Sequence, residues 1–142
     1  MKYADWDKRL ADYLSSVRKS NFDWATLECL SFSNEAVKAQ TGQGFADDWV
    51  GNYSCAKSAY KFYLQKQKSE PEKDIIEAVD NRLQRCNLRI APRGSVVARP
   101  QNDFPVLKYS FGIVAGDLLA FLGYDGLVFD KAQKADIFWT VQ

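Results

Sequence analysis

One residue of this 142-residue chain combines the type and the position of a catalytic nucleophile, and that residue is Cys29. It stands near the start of a predicted helix in the stretch FDWATLECLSFSNEAVKAQTG, residues 22–42, shortly after the aromatic residues Phe22 and Trp24. A thiol at a helix N-terminus lies at the positive end of the helix dipole, which lowers its pKa and favours the thiolate. The position therefore predicts a candidate nucleophile. The alternative is a core cysteine that packs as a small apolar residue.

The chain lacks the usual partner of a catalytic cysteine, because it contains no histidine. Cysteine hydrolysis needs a base that accepts the thiol proton and returns it to the leaving group, at a pKa near the working pH. Histidine suits that role because its unperturbed pKa is about 6.5. A cysteine without such a base is not expected to hydrolyse an amide.

Other kinds of site find no support in the sequence. The three cysteines, Cys29, Cys55 and Cys86, are odd in number and contain no CxxC pair, so neither a disulfide framework nor a zinc site is expected. The sequence has no GxSxG, P-loop or HExxH motif. We therefore expect no catalytic residue, no metal and no cofactor.

Composition and charge limit the class of protein. Hydrophobic residues make up 46% and charged residues 26%, which is typical of a globular domain. A net charge of +1 is too small to indicate nucleic acid or an anionic membrane as partner. No apolar run approaches the roughly 20 residues of a membrane span, and MKYADWDKRL lacks the apolar core of a secretory signal. We expect one domain over residues 1–142, made in the cytoplasm.

Helical periodicity dominates the first part of the chain. Apolar residues at steps of three and four predict an amphipathic helix over about residues 3–18. A second helix opens at Thr26 or Glu28 and ends at the C-cap glycine Gly42. A third follows Ser54, a favourable N-cap. A fourth starts at Pro71, buries Ile75, Ile76, Val79 and Leu83, and carries Arg82 and Arg85 near its C-terminal end.

After Cys86 the pattern changes to short β-rich runs separated by tight turns. Strands are predicted at residues 88–90, 95–99, 106–115, 118–122 and 127–129, with a helical turn at 131–135 and a last strand at 137–141. Short strands joined by tight turns favour an antiparallel meander. Helices followed by a sheet predict an α+β fold.

The order of these segments resembles the papain-like cell-wall peptidases of the NlpC type. Their aromatic–"DC" segment, helix ending in "TG", "GDLV" strand and "HVGIYLG" strand are similar to residues 22–42, 93–100 and 109–117 here. The likeness is closer to small proteins of tailed phages and prophages, with Gly51-Asn52-Tyr53, Gly126-Leu127 and Trp139-Thr140-Val141 as further matches. This resemblance implies a papain-like (NlpC-type) fold of N-terminal helices on a small antiparallel sheet.

Departures from the family pattern concern the residues that would do the chemistry. Ser110 occupies the position of the catalytic histidine, and Glu28 and Ser95 replace two aspartates. The third polar position, near Phe121 or Leu122, is apolar. A desolvated lysine or a carboxylate with a raised pKa could replace the histidine as base. Lys108 is the candidate lysine, since on an extended strand it shares a face with Ser110, but it would need a pKa lowered by several units through burial. Cys29 is then a vestigial nucleophile.

The resemblance and the missing histidine together suggest an inactive peptidase-like fold used in assembly. The expected protein is a structural component of a phage tail, at the tail tip or in tail assembly, that binds neighbouring tail proteins. It would locate to the virion, and to the host cytoplasm during assembly, without nucleic acid or membrane insertion, in an oligomeric state set by the tail. The aromatic residues can serve the core or such interfaces.

Two other functions stay open from the sequence. One is a cysteine hydrolase, a peptidoglycan endopeptidase or amidase, that uses Cys29 with a base other than histidine. The other is an assembly chaperone or an inhibitor of a host enzyme that is absent from mature particles. Cell-wall substrate and the composition of virions separate these hypotheses.

Overall fold

The computed structural model describes residues 1–69, 74–87, 91–101 and 108–142. Within these residues the helices are α1 (Trp6–Val17), α2 (Cys29–Thr41), α3 (Ala56–Ser69) and α4 (Ile75–Asp80). The strands are β1 (Gln84–Cys86), β2 (Val96–Pro100), β3 (Tyr109–Val114), β4 (Leu119–Gly123), β5 (Gly126–Asp130) and β6 (Ile137–Thr140). No helix in this part of the chain is both long and apolar enough to cross a membrane.

The strands form one antiparallel sheet in the order β1-β6-β2-β3-β4-β5. Strands β2 to β5 follow each other as the predicted meander, and the α+β class is confirmed. The last strand, β6, returns across the sheet and lies between β1 and β2. Strand β6 thus connects the meander of β2 to β5 with β1, the strand that follows the helices.

Helix α2 lies at the centre of the fold, between α1 and β3. Because α2 packs on both α1 and β3, it has buried residues on several sides, among them Leu30, Phe32 and Val37. Gly42 ends it in the left-handed conformation with φ of +86°, as the sequence predicts. Helix α1 covers α2 with Leu10 and Leu14, which confirms the predicted amphipathic helix.

The third and fourth helices differ in their limits from the prediction. The N–H of Ala59 donates to the carbonyl of Cys55, so α3 begins one residue later than a Ser54 cap would place it. Helix α4 starts after its cap Asp74 and ends at Asp80. Pro71 lies outside the described residues.

Arg85 was predicted near the end of the fourth helix, and this is wrong. It lies in β1, opposite Trp139 of β6. Its guanidinium makes two hydrogen bonds to the carboxylate of Asp80, at 3.0 and 2.7 Å. Strand β1 is the edge strand of the sheet and pairs with β6 on one side, and this pairing outweighs its helical periodicity.

The predicted strands after residue 90 are confirmed with limits shifted by a few residues. The predicted strand 88–90, and residues 106 and 107 of another, lie outside the described residues. The helical turn predicted at 131–135 is wrong, since this stretch is a loop with a turn at its end. Arg99 holds that loop by donating to the carbonyl of Lys131 and to the carboxylate of Asp136.

Alternating side chains give the sheet two buried faces. On the helix side, Val96, Ala98, Phe111, Ile113 and Trp139 join the core formed with α1 and α2. The opposite side, which we call the second face, carries a separate cluster of Val97, Val114, Leu119, Phe121 and Phe138. A residue's place in a strand therefore decides whether its side chain meets α2.

Candidate functional site

The start of α2 is built around Glu28, which caps the helix. Its backbone is extended, and its carboxylate accepts hydrogen bonds of 2.8 Å from the backbone N–H groups of Leu30 and Ser31. The Ser31 hydroxyl in turn accepts from the N–H of Glu28 at 2.8 Å. This reciprocal capping box fixes the first turn and with it the position of Cys29.

The Glu28 carboxylate is itself buried, at 1% exposure, and binds a tyrosine pair. The hydroxyl of Tyr53 donates to Glu28 Oε1 at 2.8 Å, and the hydroxyl of Tyr63 donates to that of Tyr53 at 3.1 Å. Burial raises the pKa of Glu28, while the bonds from Tyr53, Leu30 and Ser31 act in the opposite direction. We call Glu28, Tyr53 and Tyr63 the carboxylate–tyrosine network.

Cys29 follows Glu28 directly but is 3% exposed. Burial raises the pKa of its thiol far above the usual range, and the Glu28 carboxylate raises it further. Hydrogen bonding from the backbone amides of Phe111 and Leu30 opposes this shift without cancelling it. The lower pKa expected from the helix dipole is therefore wrong, because burial disfavours the charged thiolate.

Ser110, which the sequence resemblance would align with the catalytic histidine of NlpC-type peptidases, is not brought to the thiol. It precedes Phe111, whose side chain joins the core of α2, so alternation directs Ser110 to the second face. On that face it lies beside Arg99, its partner in register, whose guanidinium stacks on the ring of Phe121. The residue of β3 whose amide approaches Cys29 is Phe111.

The other predicted positions add no base near Cys29. Lys108 has φ of +61° and precedes β3, so the extended geometry that would give it a shared face with Ser110 is absent, and its side chain is exposed. Phe121 and Leu122, near which the resemblance would place a third polar residue, are buried at 8% exposure each. Ser95 is 1% exposed, and its hydroxyl has no hydrogen-bond partner among the described residues.

Aromatic rings surround the carboxylate–tyrosine network. Tyr53 contacts the rings of Trp24, Phe62 and Tyr63 at centroid distances of 6.3, 5.9 and 5.6 Å. Trp49 contacts Tyr63 at 5.2 Å. The sequence marks these rings as core or interface residues, whereas the bond from Tyr53 to Glu28 was not predicted. A buried acidic cap requires a donor, which is the signal that could have suggested it.

The described surface contains a groove of about 560 Å³ far from Cys29 along α2. Thr41, Gln43, Asp48 and Arg82 are among the residues that line it, at the C-terminal end of α2. Asp48 there pairs with Arg82 and Lys66, at 2.8 and 2.9 Å. The charged residues Asp48 and Arg82 of the groove are thus paired with each other, and the groove does not include the cysteine.

Residues 1–69, 74–87, 91–101 and 108–142 contain no cluster of side chains that could bind a metal ion. No three side chains of His, Cys, Asp or Glu come together there as a metal site. Of the cysteines, Cys29 is buried, Cys86 is half-buried and Cys55 is exposed, all as free thiols. Among the described residues, the arrangement around Cys29 places a buried thiol beside the buried Glu28 carboxylate, which is already bound by two amides and the Tyr53 hydroxyl.

Comparison with known proteins gives one family. Residues 1–141 match the family described as a domain of unknown function (DUF6950). No curated protein matches the chain.

Proposed function

The chain belongs to the DUF6950 family, and we propose that it is a non-catalytic assembly protein of a phage tail with a papain-like fold. In this proposal it binds neighbouring tail proteins at or near the tail tip and acts in the virion. The peptidase-like architecture is kept as a scaffold, and Cys29 is a packing residue at its centre.

The observation that carries the proposal is the state of Cys29. Its thiol is 3% exposed, burial raises its pKa, and the chain has no histidine to take its proton. A catalytic thiolate requires a lowered pKa and access for the substrate. Cys29 meets neither requirement. In this proposal the elements around it therefore serve as a rigid scaffold and do not catalyse a reaction.

The tertiary arrangement supports the papain-like part of the proposal. A helix that begins with the cysteine packs directly on β3 of an antiparallel sheet, in the order that the family resemblance implies. The carboxylate–tyrosine network occupies the helix start, where an active peptidase would hold its reacting groups. Glu28 there serves as a cap, with its carboxylate bound by two amides and one hydroxyl.

Quantitative mass spectrometry of purified virions tests the assembly role. A phage or prophage that encodes this chain should yield particles that contain it at a constant ratio to the tail proteins. Particles that lack it, from cells that make it in quantity, would contradict the proposal and favour a chaperone or an inhibitor.

A hydrolysis assay tests the alternative enzyme. The purified protein and its Cys29→Ala variant are incubated with peptidoglycan, and released fragments are measured by chromatography. We expect no release by either protein above buffer. Release by the wild type that is lost in Cys29→Ala would identify a cysteine hydrolase and overturn the assignment as non-catalytic.

A further inference from the structure

Helix α3 carries a basic and partly apolar stripe on its exposed side. The stripe, which we call the α3 stripe, consists of Lys57, Tyr60, Lys61, Leu64 and Lys68. Their spacing of three, four, seven and eleven residues from Lys57 places them on one side of a helix. Tyr60 is 48% and Leu64 is 41% exposed, so two apolar side chains stand among three lysines.

The charge of the α3 stripe is uncompensated within the described residues. Helix α3 contains four lysines and no acidic residue. Lys66 is on another side of the helix, where it pairs with Asp48 at 2.9 Å. No ion pair is found for the three stripe lysines in the described ranges, whereas Lys8 on α1 has Asp12 at 2.7 Å. The α3 stripe therefore presents positive charge that an external group can pair with.

The opposite side of α3 is firmly anchored. Ala59 and Tyr63 are buried, and Phe62 is packed against the same core. Tyr63 also donates to Tyr53 in the carboxylate–tyrosine network. These contacts fix the helix backbone that carries the stripe, which lowers the entropy cost of binding.

We propose that the α3 stripe binds an acidic protein surface with an apolar recess that receives Tyr60 and Leu64. This inference rests on the proposed function, since it assigns the face through which a neighbouring assembly protein is bound. Lysines opposite carboxylates provide charge complementarity and orientation. A tyrosine at the centre of the patch is a residue type enriched at protein interfaces.

The chemistry of the stripe favours a protein over a membrane or a nucleic acid. Interfacial helices insert a broad apolar face into lipid, whereas the broad apolar face of α3 is buried in the protein. Tight nucleic-acid binding needs many phosphate contacts, and the α3 stripe offers three aligned lysines on a chain of net charge +1. Three lysines are enough to pair with a few carboxylates on a protein surface.

Photo-crosslinking identifies the partner. Tyr60 is replaced by p-benzoylphenylalanine in cells that produce the full set of particle proteins, and the crosslinked protein is identified and purified. Its Kd is then measured for the wild type, for Lys57→Glu/Lys61→Glu and for the control Lys19→Glu/Lys134→Glu, which makes the same change in net charge elsewhere. Circular dichroism and urea unfolding verify that each variant is folded.

The expected result is about a tenfold or greater rise in Kd for Lys57→Glu/Lys61→Glu, with the control unchanged and the wild-type Kd rising with salt. Equal effects of both variants, or no crosslink from position 60, would overturn the inference. Vesicles containing phosphatidylglycerol and a short DNA duplex are tested in parallel. Binding to either that Lys57→Glu/Lys61→Glu abolishes, without a protein partner, would overturn it as well.

The outcome for the stripe can be told apart from the outcome for the proposed function. If Lys57→Glu/Lys61→Glu protein enters particles as the wild type does, the stripe is not the assembly surface, although the assembly role stands. If wild-type protein is absent from particles yet binds the crosslinked protein through these lysines, the assembly role fails and the stripe remains a protein-binding surface.

Discussion

The hydroxyl of Tyr53 donates a 2.8 Å hydrogen bond to the buried carboxylate of Glu28, the residue that caps the central helix α2. This bond joins the connector after α2 to the first turn of that helix. It also places a polar network beside the buried thiol of Cys29. The most direct tests of the structure therefore start at this pair.

Tyr53→Phe should destabilise the fold, because it removes one donor from a buried carboxylate and one acceptor from Tyr63. Leaving buried polar groups unsatisfied costs about 1–3 kcal/mol in the free energy of unfolding. Urea unfolding followed by fluorescence measures this loss. The control is Tyr60→Phe, a ring that is 48% exposed, which should leave the unfolding midpoint unchanged. Equal midpoints for both variants would refute the structural role of the bond.

Glu28 should make stability depend on pH. Burial raises the pKa of Glu28 above its ordinary value of 4.5, so the folded state keeps the proton to higher pH than the unfolded chain. Its contribution is fully present below about pH 4.5 and is lost as the pH rises through the folded-state pKa. Glu28→Gln should remove this part of the pH dependence, as measured by urea midpoints across the pH range.

The control for Glu28 is Glu35→Gln on the exposed side of the same helix. This variant should keep the wild-type dependence of the urea midpoint on pH. If Glu28→Gln also keeps that dependence unchanged, the carboxylate is not the group that titrates.

The cysteines should differ in reactivity. Cys55 is exposed, and hydrogen bonding from Ser58 lowers the pKa of its thiol. Cys29 is buried with a raised pKa, so it should stay unmodified until the protein unfolds. Iodoacetamide labelling with peptide mass spectrometry, in buffer and in urea, measures both. Rapid labelling of Cys29 in the folded protein would revive the nucleophile hypothesis.

Arg99→Met should be strongly destabilising. The guanidinium bonds to both carboxylate oxygens of Asp136, at 2.9 Å each, and the Asp136 side chain is 0% exposed. Removing the arginine leaves this charge buried and unpaired, which costs about 3 kcal/mol or more. Thermal unfolding measures the loss. Lys8→Ala breaks an exposed pair with Asp12 and should leave the melting temperature unchanged.

The elements that depend on near neighbours in the chain were predictable. The end of α2 at Gly42 and the β-rich runs after residue 90 follow from glycines and periodicity, and of the two predicted starts, Thr26 and Glu28, the structure has Glu28 as the cap. Strand β1 was missed, because its hydrogen-bond partners belong to β6, the last strand in chain order, where Thr140 lies opposite Gln84. Pairing between distant segments leaves no local signal.

By itself, the sequence determined that a cysteine begins the central helix and that no histidine is present to serve it. The tertiary structure decided what that cysteine is. Packing of α2 on β3 buries the thiol and raises its pKa, and strand alternation sends Ser110 to the second face. The burial of the thiol and the face of the sheet on which Ser110 lies both depend on tertiary packing. Neither could be predicted from the residues around Cys29 alone.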